Sequence, residues 1–327
     1  MELAEFYEIE GLRRQAIISG NSELADQYSY ELYQKTCHLP HLVFLNSFAM
    51  PEVLQTHISQ SLINDIALIH PDETHQEVDQ AENFYRSYVE RLLNVDLSKV
   101  EILRAAGNFK HAEGRAVTCR ATDHLVILPP RGEEYVSPDL LIHELGHTAE
   151  YTLRRASNDI EMLRSHLLFS EAIAHFCQYK YMVEFGTRTE RLHALASVTK
   201  NHMLLRALRA HRELRDQPAN FQVSRIIDHE YLDVYRAAYT KDRIEWLLED
   251  YEGRSFIELY FTEAEPRMGA VLALQVMHNG AAIRELCLMK TNQPVREMLD
   301  NLNLKTEELM DFTQADALFR KFVEGTI

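Results

Sequence analysis

Ser137-Pro-Asp-Leu-Leu-Ile-His143-Glu144-Leu-Gly-His147-Thr-Ala-Glu150 is the stretch from which the rest of the chain is read. It holds an H-E-x-x-H pattern, His143-Glu144-Leu145-Gly146-His147. Residues four apart share one face of a helix, so His143 and His147 can grip one ion together. Glu144 lies about 100° round the same helix, outside the ligand set but within reach of a water beside the metal. The flanks predict a helix here. Ser137 suits the N-cap, Pro138 the first helical position, and Asp139 the positive N-terminal end. Gly146 costs about 1 kcal/mol in a helix interior, which predicts that something packs closely against the backbone there.

Two histidines do not complete a catalytic zinc site, which takes three protein ligands and leaves a fourth position open. The third must come from another element. A second helix is expected from Ile160 to about Phe185, after a break at Ser157-Asn158-Asp159 and ending at Gly186. Packed antiparallel to the first, it returns the chain to the level of His147. Glu171 lies in its middle, in the apolar run Phe169-Ser-Glu-Ala-Ile-Ala-His-Phe176, where an unpaired carboxylate is costly and a metal partner resolves the cost. Glu161, His166 and His175 are the competing third ligands.

His143-Glu144-Leu-Gly-His147 followed by Ser170-Glu171-Ala resembles the gluzincin class of zinc metallopeptidases, over about residues 122–185. The 23 residues between His147 and Glu171 are similar to the spacing of the angiotensin-converting-enzyme group and exceed that of thermolysin-like enzymes. The resemblance implies a zincin-like core, one zinc ion at His143, His147 and Glu171, and Glu144 as general base. It also implies an oxyanion donor downstream of the third ligand. His229, Tyr231, Tyr235, Tyr239, Tyr251 and Tyr260 are the candidates, with Tyr235 chosen for a spacing similar to thermolysin-like enzymes. This chain departs from the class at His175, where an Asp usually orients a zinc histidine; Asp139 or a backbone carbonyl is the expected substitute. The exopeptidase motif of the aminopeptidases is absent, with Gly107-Asn108 and Glu113 no convincing match.

Outward from this centre, the chain reads as mainly α with a small β-sheet, an α+β fold. Amphipathic helices are expected over Leu3–Ile18, broken at Gly20-Asn21-Ser22, and from there through Tyr33, with two more near 51–69 and 73–94. His38, His41, His57, His70 and His75 in this region lack ligand spacing. Val100–Arg104, Arg115–Arg120 and His124–Leu128 read as short strands, with Asn108 and Glu113-Gly114 as turn residues. Pro129-Pro130 marks the last of them as an edge or terminal strand, and the sheet either offers an edge to an extended substrate or merely covers the helical core. Helices are expected again over about 188–214, 222–250 and Arg267–Met277. The division expected is a helical region, 1–97, and a catalytic region with C-terminal helices, 98–327, able to form one unit.

The 327 residues allow a large core. A net charge of -16 disfavours nucleic acid and anionic membranes as partners; it suits cationic peptide substrates, or is simply a solvated acidic surface that aids solubility, and the partner expected is a peptide or protein substrate. Cys37, Cys119, Cys177 and Cys287 form no C-x-x-C pair, which speaks against a cysteine zinc site or a disulfide scaffold. Neither a secretory signal nor a run of about 20 apolar residues is visible, so the cytoplasm is the expected compartment, with export by another route open. The function expected is a zinc-dependent peptidase, cutting within peptide chains. Peptide deformylase shares H-E-x-x-H but takes a Cys ligand from an upstream E-G-C-L motif, which Ala-Val-Thr-Cys119-Arg does not match. The alternative of another class is an inactive helical interaction protein with a relic zinc site, against which the intact Glu144 speaks. Oligomeric state is not legible.

Overall fold

The computed structural model describes residues 2–36, 58–69, 82–105, 114–130, 137–216, 218–264, 266–290, 295–301, 303–304 and 312–327. The expected turn residues Asn108 and Glu113, Cys37 and the five N-terminal histidines lie outside them. Helices α1 (Leu3–Ile18) and α2 (Ser22–Thr36) form a hairpin turned at Gly20, whose φ of +74° favours glycine. Phe6 and Ile9 of α1 meet Leu32 of α2. Next come α3 (Gln60–Ala67) and α4 (Glu82–Leu93), whose apolar faces join the main core.

A three-stranded sheet follows: β1 (Glu101–Arg104), β2 (Arg115–Val117) and β3 (Leu125–Leu128), in the order β1-β3-β2. β3 runs parallel to β1, with Glu101 opposite Leu125, and antiparallel to β2, with Arg115 opposite Ile127. β3 is therefore the central strand, which corrects the expectation that the two prolines mark an edge. Pro129 and Pro130 fall just beyond the ladder and cost it no hydrogen bond. All four β3 residues are buried because both faces are covered. Val126 and Leu128 point into the main core, while Leu125 and Ile127 join Val117 against Ile17 of α1.

Helix α5 (Pro138–Arg155) begins where expected, with Ser137 extended at the N-cap and Pro138 in the first turn. The Ser137 side chain makes no capping bond. Its neighbour α6 (Leu167–Phe185) lies antiparallel, and the two helices pack along their length. Gly146 shows how close they come: a Cβ there would sit 2.8 Å from the Ala174 Cα and 3.4 Å from the Cys177 Sγ. The expected helix from Ile160 is not continuous. A 3-10 turn at Ile160–Leu163, entered through Asn158 at a left-handed φ of 52°, precedes a break before Leu167. Buried Arg154 holds that break, its guanidinium donating to the carbonyls of Met162 and Arg164, and also to those of Cys287 and Met289.

Beyond Gly186 the chain is helical in shorter pieces than expected. Residues 188–214 divide at Leu195 into α7 (Arg188–Ala194) and α8 (Ala196–Arg212). Residues 222–250 contain α9 (Val223–Ile226), α10 (Asp233–Arg236) and α11 (Lys241–Leu248). Then come α12 (Phe256–Leu259), α13 (Gly269–Gln275), α14 (Gly280–Leu288), α15 (Val295–Asn301) and α16 (Phe312–Glu324). Apolar α13 is buried as expected and packs on α6, and Asn279 caps the start of α14. Among the described residues no helix is long and apolar enough to cross a membrane.

The far end of α5 is tied to the N-terminal hairpin by a buried ion pair. Arg155 donates from both terminal nitrogens to Glu10, at 2.5 and 2.8 Å, and from one of them to the Arg120 carbonyl. Both side chains are at most 2% exposed.

Candidate metal centre

His143, His147 and Glu171 converge between α5 and α6, each offering one ligand atom within 4.8 Å of the others. His143 Nε2 lies 3.7 Å from Glu171 Oε2, and His147 Nε2 lies 3.8 Å from Glu171 Oε1. This group of two histidines and one glutamate can hold a metal ion. The pairing follows from the helices: the i, i+4 histidines face α6, and Gly146 lets α6 come close enough to present Glu171 to both. The side chain of Glu171 is 29% exposed, against 12% and 10% for the two histidines, so the cluster opens to solvent on the Glu171 side.

Burial keeps the imidazoles neutral. It holds His143 well below the usual histidine value, helped by His175 and His147 beside it. It pushes His147 down to about 3, again with His175 contributing. A neutral imidazole has the lone pair that a metal needs, and protons do not compete for it at neutral pH. Two neutral nitrogens and a carboxyl oxygen make a donor set that can hold a metal ion.

The hydrogen bonds around the histidines run in two chains. His147 Nδ1 lies 3.0 Å from Ser170 Oγ, and Ser170 donates to Glu150 Oε2 at 2.6 Å. On the other side Gln178 donates to Asp139 at 2.9 Å, and its carbonyl oxygen faces His175 Nδ1 at 2.8 Å. Asp139, the expected substitute for the missing orienting acid, is thus hydrogen-bonded to Gln178, which in turn meets His175. His175 Nε2 lies 3.9 Å from Glu171, and its ring meets His143 edge-on with centroids 4.7 Å apart.

Glu144 is buried beside the cluster and lies against the start of β2: a Cβ on Gly114 would come 2.9 Å from its Cγ. Tyr151 stacks on His147 with centroids 6.3 Å apart and meets His124 edge-on at 5.7 Å. Burial raises the Tyr151 phenol, reinforced by Glu150, Glu144 and Glu171, so it remains a neutral hydrogen-bonding group.

Several other candidates have partners of their own. Glu161 pairs with Lys290 at the surface, and buried His166 occupies the N-cap of α6 against Phe169. Tyr235 is wholly buried in α10, its hydroxyl 3.1 Å from the Thr199 carbonyl and 2.5 Å from His202 Nδ1. Burial raises its phenol well above 10. Tyr231 donates to Glu213, and Tyr251 and Tyr260 are core residues. The sequence reading missed Glu150, Ser170, Gln178 and Tyr151. The signal was present, since Glu150 and Tyr151 follow His147 by three and four residues, and Gln178 follows His175 by three. No family model, curated protein or solved structure matches this chain.

Proposed function

We propose that this protein is a zinc-dependent peptidase that cleaves within peptide chains, with zinc at His143, His147 and Glu171 and with Glu144 as general base. The observation that carries the reading is the convergence of Glu171 on both histidine Nε2 atoms, at 3.7 and 3.8 Å, beside a buried Glu144. When bound, zinc supplies a Lewis acid that polarises a carbonyl and makes water acidic near neutral pH. Glu144 takes the proton of the attacking water and returns it to the leaving amine. A structural site has no need of such a base.

The sheet supports a peptide as substrate. β2 is paired only with β3 among the described residues, and its start lies directly on Glu144 at Gly114. An extended peptide added along β2 carries its backbone past the base without a special side chain. Substrate placed on this edge is accessible along its length, which suits cleavage within a chain.

Tyr235 as oxyanion donor requires its hydroxyl to leave Thr199 and His202. Tyr235→Phe decides the role. A fall in kcat of about 10²–10³ assigns the donor, whereas unchanged kcat with lowered stability keeps Tyr235 in the core. The proposal itself is tested with a peptide library. Cleavage that stops with chelator, returns with zinc and is absent in Glu144→Gln supports it; no cleavage by zinc-loaded protein favours the interaction-protein alternative.

A further inference from the structure

Resting on the zinc reading above, we infer that Glu150 is a positioning residue for the metal ligand His147, acting through the Ser170 hydroxyl. With Glu150 ionised, the geometry of the hydrogen bonds points to this role. A carboxylate only accepts, so the single Ser170 proton goes to Glu150 Oε2 at 2.6 Å. The Ser170 oxygen, 3.0 Å from His147 Nδ1, is then left to accept, and Nδ1 carries the ring proton. A neutral imidazole has one proton, so Nε2 keeps its lone pair. That nitrogen is the one 3.8 Å from Glu171 Oε1, on the side of the cluster.

Ser165 donates to the other Glu150 oxygen, which fixes the carboxylate from both sides. Ser165 lies in the break before α6, and Ser170 immediately precedes the ligand Glu171. One buried carboxylate therefore orients a ligand on α5 and anchors the segment that delivers the ligand on α6. Burial raises the Glu150 carboxyl above its ordinary value; Arg154 nearby and the Ser165 and Ser170 hydrogen bonds act the other way and favour its charge, while the hydrogen bonds of Arg154 itself go to four backbone carbonyls. A carboxylate so placed raises the basicity of the ligating imidazole and locks the ring against rotation.

The test uses full-length protein with ¹⁵N-labelled histidine, stripped of metal and then titrated with zinc alone against a chelator of known affinity. Ring nitrogen spectra of the metal-free protein are expected to show His147 protonated at Nδ1. In Ser170→Ala this preference is lost and zinc affinity falls about 10–100-fold. Glu150→Gln weakens zinc in the same direction, and Ser170→Thr, which keeps the hydroxyl, holds both readouts near wild type. A purely structural serine lowers the melting temperature of Ser170→Ala while leaving tautomer and zinc affinity of the folded protein unchanged, and that result overturns the inference. So does a wild-type His147 protonated at Nε2. If the tautomer responds as expected but wild type takes up no zinc, the relay stands and the peptidase reading falls.

Discussion

Helix α5 carries buried polar groups at two levels, and they differ in what they leave for a ligand. Near its C-terminal end, Arg155 and Glu10 face one another with two hydrogen bonds and cancel each other's charge. About two and three turns earlier, His147 and His143 are neutral and meet the oxygens of Glu171 at distances longer than hydrogen bonds. The first arrangement is complete as it stands and ties the N-terminal hairpin to α5. The second gathers lone pairs around a point, which is what a cation requires. Burial alone does not distinguish a site from a strut; the sign and geometry of what is gathered does.

The largest effects should fall at the gathered lone pairs. Glu144→Gln is expected to cut peptide cleavage by about 10²–10⁴-fold while zinc is retained. At the paired charges the expectation is the reverse. Glu10→Gln leaves a buried guanidinium without its counter-charge and should cost about 3–5 kcal/mol of stability, read from denaturant unfolding, with zinc affinity of the folded protein unchanged. Replacing Glu10 and Arg155 together by apolar residues of similar volume should cost much less.

Gly146→Ala probes both properties of α5 at once. The new methyl meets the Ala174 backbone at 2.8 Å and must push α6 away. A net loss of about 1–3 kcal/mol is expected despite the better helix propensity of Ala, together with weaker zinc binding as Glu171 recedes. Little change in either would mean that the interhelical approach does not set the site.

A separate effect is an acid dependence from histidines that are not proposed ligands. Burial pushes His124 down to about 3 and His166 to about 4. Between these values and the unfolded value near 6.5 the unfolded chain binds protons that the folded chain refuses. Their contribution is complete above pH 6.5 and is lost as pH falls towards 4, by up to about 1.4 kcal/mol per pH unit for each histidine. His166→Phe should flatten that slope in metal-free protein, measured by unfolding between pH 7 and 5.

The parts legible in sequence were those set by local periodicity. The H-E-x-x-H spacing, the Pro138 start, the Asn158 break and the apolar run of β3 each follow from a few adjacent residues. Glu171 could be chosen because two helices joined by a short connection must return to the same level. What was not legible depended on pairing across the chain. The two prolines gave no sign that β3 has partners on both sides, since they lie beyond its ladder. Apolar periodicity ran through 160–166 and hid the break that Arg154 holds from α5. An orienting group was expected at Asp139 or a backbone carbonyl, whereas the hydrogen bonds that reach His147 come from Glu150 and Ser170, which sit on two different helices and become neighbours only when these pack.

Zinc content tests the central claim most directly. Wild type, Glu144→Gln, His143→Ala and Glu171→Ala, purified identically and dialysed with trace zinc, should be measured for metal per folded chain. The account predicts about one zinc in wild type and in Glu144→Gln, and next to none in the two ligand variants. Equal zinc in all four, or none in folded wild type, would contradict it.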